Sequence, residues 1–228
     1  MGISAVIFDF NGVLIDDESV HFALFQEVLA QEGVFITERD YHEKYLGYDD
    51  RGCFDAALRD VGQSADRARL DDLIARKSRR YVEVAEEGLV FFPAAAEILR
   101  TISARWPVAI NSGALRPEIE YALRRLDCRD CVAAIVSAED TDQCKPHPAG
   151  YLLALEALRS RFGDDLAAAS CLVIEDSTAG IQSARGAGMR AVGVATTYQP
   201  DQLREAGADD VVESLARFTP DWIDCRFG

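Results

Sequence analysis

The sequence predicts an α/β fold: a parallel sheet with helices on both faces, interrupted after its first strand by an all-helical insert. Three observations predict it. From Pro93 onward, short apolar runs alternate with amphipathic stretches, as strands joined by crossover helices do. Between Val20 and about Glu87 nearly everything reads as helix and nothing reads as strand. Polar residues cluster just past the strand ends, where ligands sit in a sheet of this kind.

In chain order, Val6-Ile7-Phe8 is the β-branched and aromatic run of a strand buried on both faces. It breaks into Asp9-Phe10-Asn11-Gly12. Asp9 and Asn11 are two apart and point to the same side of an extended chain, and Gly12 permits a sharp turn or a close approach. Val20, Leu24, Phe25, Val28 and Leu29 form one helical stripe, stopped by Gly33. Thr37 and Asp40 have capping-box spacing. Arg51 to Asp60 is a short helix. Leu70, Leu73, Ile74, Lys77, Tyr81 and Val84 share a face of a longer one, which Gly88 ends. Beyond the insert, Pro93, Pro117 and Pro148 open helices. Pro107 to Ile110, Val132 to Val136, Cys171 to Ile174 and Ala191 to Val194 are strands. A helix runs from the 175–177 turn to about Ala187. Pro200 to Ala206 is a short helix, and Asp210 to Val212 an edge strand.

Composition narrows the function. The chain has 228 residues, 49% of them hydrophobic, enough for a full core. Its net charge of −15 argues against nucleic acid and against anionic membranes. No apolar run is long enough to span a bilayer, and the first residues lack the features of a signal peptide, so the expected location is the cytoplasm. The six cysteines include one CxxC, Cys128-Arg129-Asp130-Cys131, with no second pair and no histidine at zinc spacing. Reduced, structural thiols are expected.

The strand ends carry Asp9 and Asn11, then Ser112 with Gly113, then Glu175 and Asp176. Lys145 lies on a loop that can reach the same edge. Three carboxylates in one place repel, and a hard divalent cation with oxygen ligands relieves them. Serine and lysine supply donors and positive charge for an anion beside the metal. The combination suits phosphoryl transfer with an aspartate nucleophile. Singly, each residue has a plainer reading: a turn or capping residue, a loop lysine, acids at a helix N-terminus.

The stretches Asp9-Phe10-Asn11-Gly12-Val13-Leu14-Ile15-Asp16, Ser112, Lys145-Pro146 and Ile174-Glu175-Asp176-Ser177 with Gly180-Ile181 fall in one order and spacing. In this the chain resembles the haloacid dehalogenase superfamily, in the branch of small phosphatases and β-phosphoglucomutases with a helical cap. The resemblance implies a Rossmann-like core of residues 1–15 and 89–228 and a mobile cap of residues 16–88. It implies a magnesium-dependent phosphatase acting on a small phosphorylated metabolite, as a monomer or homodimer. Asp9 would be the nucleophile. Asp9, Asp176 and the carbonyl of Asn11 would hold Mg2+, with Glu175 holding metal-bound water or orienting Asp176. Ser112, Gly113 and Lys145 would meet the phosphoryl group. Arg51 and Lys77, with the loop Leu46-Gly47-Tyr48-Asp49-Asp50-Arg51, are the cap's candidates for substrate contact.

The chain departs from the family at Asn11, where its phosphatases carry the aspartate that protonates the leaving oxygen and later activates water. An amide does neither, a loss of roughly 10²–10⁴ in rate. Three explanations stand: a slow or silent relative, a variant changed to trap a complex, or a chemistry that needs no acid here, as in dehalogenation. The metal-binding form of Glu175-Asp176 disfavours the last. A sugar phosphomutase and a silent phosphometabolite-binding module are the rival functions.

Overall fold

The computed structural model describes residues 2–46 and 48–228. Met1 and Gly47, the latter in the loop expected to face the substrate, lie outside the described residues. The chain divides into two compact units, Met1–Asp16 with Phe91–Gly228, and Asp17–Val90.

The first unit is built on one sheet. Its strands are β1 (Ala5–Phe8), β2 (Val108–Asn111), β3 (Ala134–Val136), β4 (Cys171–Glu175), β5 (Arg190–Val194) and β6 (Asp210–Val212). They lie in the order β3-β2-β1-β4-β5-β6, and every pairing is parallel. In β1 all four residues are buried. Ile7 pairs with Ala109 on one side and Val173 on the other, and packs in a cluster with Tyr151, Leu155, Ile181 and Ala191. Phe8 points the opposite way, edge-on to Phe218 at 6.2 Å. Both faces are therefore covered, which is why the strands read as continuous apolar runs instead of alternating.

The second unit holds α1 (Glu18–Gln31), α2 (Glu38–Asp40), α3 (Asp50–Asp60) and α4 (Arg67–Gly88). The stripe of α1 buries Leu24, Phe25, Val28 and Leu29, while Val20 stays half-exposed. The capping box forms: Thr37 Oγ1 accepts from the Asp40 amide at 3.0 Å, and Asp40 Oδ2 accepts from the Thr37 amide at 3.2 Å. It opens only a single turn, which continues as a wider π turn over Tyr41–Tyr45. Along α4 the buried face is Leu70, Leu73, Lys77, Tyr81 and Ala85. Val84, expected on that face, is displaced by Ala85, because a period of 3.6 drifts over a long helix. At the centre of the unit Phe54 is fully buried, edge-on to Phe25 at 5.0 Å.

Back in the first unit, α5 (Ala95–Ser103), α6 (Arg116–Arg125), α7 (Ala149–Phe162), α8 (Thr178–Gly186) and α9 (Pro200–Glu205) connect the strands. A tenth helix, α10 (Pro220–Phe227), lies beyond the last element expected from the sequence. Its apolar anchors, Trp222, Ile223 and Phe227, are too few to mark a helix by their spacing. The neighbours hold it instead: Trp222 packs on Phe218, and Arg190 donates to the Phe227 carbonyl at 3.0 Å. Ile15 bridges Phe91 antiparallel, and the Phe92 amide donates to the Leu14 carbonyl at 3.1 Å, tying together the two points where the chain leaves and re-enters this unit.

Replacing Phe54 by Ala should remove about 3–5 kcal/mol from the second unit, the usual cost of emptying an aromatic site in a packed core. Urea unfolding followed by circular dichroism should show the loss as an earlier transition.

Candidate active site

β1 is central, and the chain goes to opposite sides of it in building β2 and β4. That is a topological switch point, so a crevice opens at the carboxyl ends of these strands. Asp9 directly follows β1, Ser112 follows β2, Glu175 closes β4 and Asp176 follows it. Lys145 arrives from the loop between β3 and α7.

Lys145 binds these groups together. Its Nζ lies 2.9 Å from Asp9 Oδ1 and 2.5 Å from Glu175 Oε1. Glu175 is completely buried and has donors on both oxygens. Tyr151 donates to Oε1 at 2.6 Å, and the Ser177 hydroxyl donates to Oε2 at 2.9 Å. Ser177 also caps α8 by accepting from the Gly180 amide at 3.0 Å. Glu175 is thus the anchor of the lysine, and its anionic charge sits over a helix N-terminus, where the dipole favours it.

Oxygens of Asp9, Glu175 and Asp176 all lie within 4.8 Å of one another. Burial pushes the Asp9 carboxyl up to about 7, Glu175 adding to the rise and Lys145 opposing it. Burial also holds Asp176 well above the usual carboxylate range, with Asp9 and Glu175 adding and a hydrogen bond with Thr197 opposing. Burial alone would weaken the Lys145 ammonium. Asp9 and Glu175 outweigh it and hold its proton more firmly than in water. One ammonium balances one carboxylate's worth of charge among three, so the cluster is short of positive charge. Its all-oxygen donor set fits a hard divalent cation.

The loop after β1 is shaped for close approach. Gly12 has φ +73°, and a Cβ there would fall 1.9 Å from Asp176 Oδ2. Its carbonyl accepts from Thr196 Oγ1 at 2.5 Å, fastening the loop to the end of β5. Ser112 Oγ donates to Asn11 Oδ1 at 3.2 Å and accepts from the Ala114 amide at 3.1 Å. Asn11 therefore faces the same crevice as Ser112, while Gly113 is exposed beside it.

The structure brings together six expected residues: Asp9, Asn11, Ser112, Lys145, Glu175 and Asp176. Arg51 and Lys77 lie in the second unit. Lys77 is buried, its Nζ 2.6 Å from Asp50 Oδ1, 2.8 Å from His21 Nδ1 and 4.4 Å over the Phe25 ring. Its ammonium is committed inside that unit. Arg51 pairs with Asp71 at 2.5 Å. His21 stacks on Tyr81, and its Nε2 is 3.2 Å from Asp17 Oδ2. Tyr151 and Thr197 were not anticipated. Tyr151 reads as one more apolar position of α7, and nothing in its spacing marks a hydroxyl aimed at Glu175.

Comparison with known proteins decides the family. The profile described as haloacid dehalogenase-like hydrolase matches residues 6–194. The chain belongs to this family. It is 30% identical to the protein CbbY of Rhodobacter capsulatus, over 87% of this chain and 88% of that one. It is 28% identical to hexitol phosphatase B of Escherichia coli, over 95% of each. Among solved structures, CbbY of Rhodobacter sphaeroides in complex with phosphate superposes with a TM-score of 0.84 at 25% identity, over 97% of this chain and 99% of that one. The β-phosphoglucomutase of Clostridium difficile shares the fold, with a TM-score of 0.85 at 22% identity, over 99% and 97%. The chain is a phosphatase-like hydrolase of this family. No helix among the described residues is long and apolar enough to cross a membrane.

The raised Asp9 carboxyl has a consequence for stability. A group whose folded value lies above its unfolded one stabilises fully below the unfolded value, here 3.8, and that contribution is lost as pH rises through the folded value near 7. Without added cations, the melting temperature should fall between about pH 4 and 7, by an amount on the order of a few kcal/mol in stability. Asp9→Asn should flatten this part of the profile in calorimetry. A profile unchanged by the substitution would contradict the assignment.

Proposed function

We propose that this protein hydrolyses a phosphomonoester of a small sugar or polyol through an aspartyl-phosphate on Asp9. The observation that carries the reading is the Asp9–Lys145–Glu175 chain beside Asp176 at the crevice of the sheet. Membership of the family and the phosphatases among the chain's relatives support it.

Asp9 supplies the carboxylate that attacks phosphorus. Lys145, held by Glu175, fixes one oxygen of that carboxylate and offsets charge as the phosphoryl group arrives. Ser112 presents a hydroxyl, and Gly113 an exposed backbone, to the phosphoryl oxygens. Mg2+ would be held by Asp9, Asp176 and the carbonyl of Asn11, and when bound it supplies positive charge that the carboxylate cluster lacks and polarises the phosphoryl group. With both oxygens of Glu175 already paired, this residue serves the site by fixing Lys145. Asn11 cannot donate a proton to the leaving alcohol or take one from water, so turnover is slow. The same amide favours a second reading, in which the pocket holds a phosphorylated metabolite without turning it over.

Asn11→Asp nearly conserves volume and restores a proton donor at this position. It should raise kcat on alkyl phosphates by roughly 10²-fold or more, within the range of acid–base catalysis. A panel of sugar phosphates, hexitol phosphates and phosphoglycolate, assayed for released phosphate with both proteins, measures it. If the variant stays inert across the panel while the parent binds one of these esters, the holding function is the right one.

Magnesium titrated into the parent should bind with millimolar or tighter affinity, and Asp176→Ala should abolish that binding. Equal affinity in the two proteins would overturn the metal assignment.

A further inference from the structure

Remote from the candidate cluster, the CxxC segment enters no step of the proposed reaction. Cys128 and Cys131 bracket a single 3-10 turn, Arg129–Cys131, that leads from α6 into β3. The Cys131 amide donates to the Cys128 carbonyl at 3.1 Å, closing the turn. In such a turn residues three apart eclipse one another, and their Cα atoms come within about 7 Å, the limit a disulfide bridges without moving the backbone. The Cys128 thiol reaches two carbonyls, those of Leu126 at 3.3 Å and Ala96 at 3.6 Å. The two thiols differ in exposure. Cys128 is 1% exposed, whereas Cys131 is half-buried and the more exposed of the two.

From this geometry we infer that Cys128 and Cys131 form a redox-active dithiol, a site of reversible oxidation by peroxides. Cys131, the more exposed partner, is attacked first. Its thiolate sulfur bonds to one peroxide oxygen, the O–O bond breaks, and the departing hydroxide leaves as water with a proton from solvent. A sulfenic acid remains on Cys131. The Cys128 sulfur then bonds to the sulfenic sulfur, the S–O bond breaks, and the hydroxide departs as water with the Cys128 proton. Two thiols are oxidised to one disulfide, and one peroxide is reduced to two waters. Burial, aided by Cys131, pushes the Cys128 thiol up to about 11, so it stays protonated until its neighbour has reacted. A disulfide closing so short a loop demands little rearrangement of a turn already shut by its own hydrogen bond.

The test uses the full chain with the two exposed cysteines removed, Cys144→Ser and Cys225→Ser. The reduced protein is treated with a small excess of hydrogen peroxide, quenched, and its thiols are counted under denaturing conditions. It should lose two thiols and regain both with dithiothreitol. Trypsin cuts after Arg129, between the pair, so a 128–131 disulfide appears as two tryptic peptides joined to each other. In Cys128→Ala, the sulfenic acid on Cys131 should persist and be captured by dimedone; in Cys131→Ala no internal disulfide should form. Survival of both thiols in the parent would overturn the inference. So would over-oxidation of Cys131 beside an unreacted Cys128, or a joined peptide containing any other cysteine.

Discussion

The first unit depends on one constraint: a lysine must sit between two carboxylates, and the fully buried one, Glu175, must find a donor for each of its oxygens. Lys145 sits 2.9 Å from Asp9 and 2.5 Å from Glu175, in a site where neither acid could be left alone. An unpaired buried charge costs several kcal/mol, so the three groups constrain each other's position more tightly than packing alone would. Glu175 has no exposed surface, and its donors come from three places: the loop that carries Lys145, the first turn of α7 through Tyr151, and the N-cap of α8 through Ser177. The same pairs that make the cluster tolerable also lock the geometry in which Asp9 is presented.

The surrounding backbone is shaped to let this happen. Gly180 lies in the first turn of α8 where any Cβ would strike the Glu175 carboxylate, at 1.9 Å. Gly150 opens α7 where a Cβ would come within 2.3 Å of Asn111 Oδ1, and this close contact sets Tyr151 next to Glu175. Gly12 does the same for the loop after β1 and Asp176. In each case a glycine lets a helix start or a loop approach a polar side chain at a distance no other residue permits. The sheet supplies the rest. Its parallel register sets the ends of β1 and β4 side by side, Phe8 opposite Ile174, so that Asp9 and Glu175 start as neighbours before any side chain is chosen.

The second unit solves a related problem differently. Its core is aromatic and aliphatic, centred on Phe25, Phe54 and Leu58, yet it buries Lys77. Asp50 and His21 meet the ammonium, and the Phe25 face covers it. His21 in turn leans on Asp17, which also accepts from Tyr81 at 2.6 Å. Burial and the neighbouring Lys77 charge oppose protonation of His21, but Asp17 and Asp50 outweigh them and raise its pKa above the usual imidazole value. Helices this polar on one face are held in register by such pairs as much as by apolar contact.

The sequence by itself determined the architecture and most of the candidate cluster. Apolar runs such as Val6-Ile7-Phe8 and Cys171 to Ile174 can only be satisfied by a sheet covered on both faces, and helix-period stripes between them impose crossover connections. Once that topology follows, chemistry must gather at the carboxyl ends, and Asp9, Ser112, Glu175 and Asp176 are legible there from position alone. Local rules also located the capping box at Thr37 and the edge strand Asp210–Val212. Only the tertiary structure decided the rest. Lys77 and Tyr151 both lie on buried helical faces, and periodicity says that a face is buried, not which polar atom awaits it. Pattern therefore could not tell that Lys77 is spent on Asp50 and His21 within its own unit, or that Tyr151 turns its hydroxyl to Glu175. The helix Pro220–Phe227 has too few apolar residues to declare itself, and Phe218 and Arg190 receive it. A hydrogen-bond partner is a property of two distant segments meeting, and a sequence read one segment at a time carries no record of the meeting.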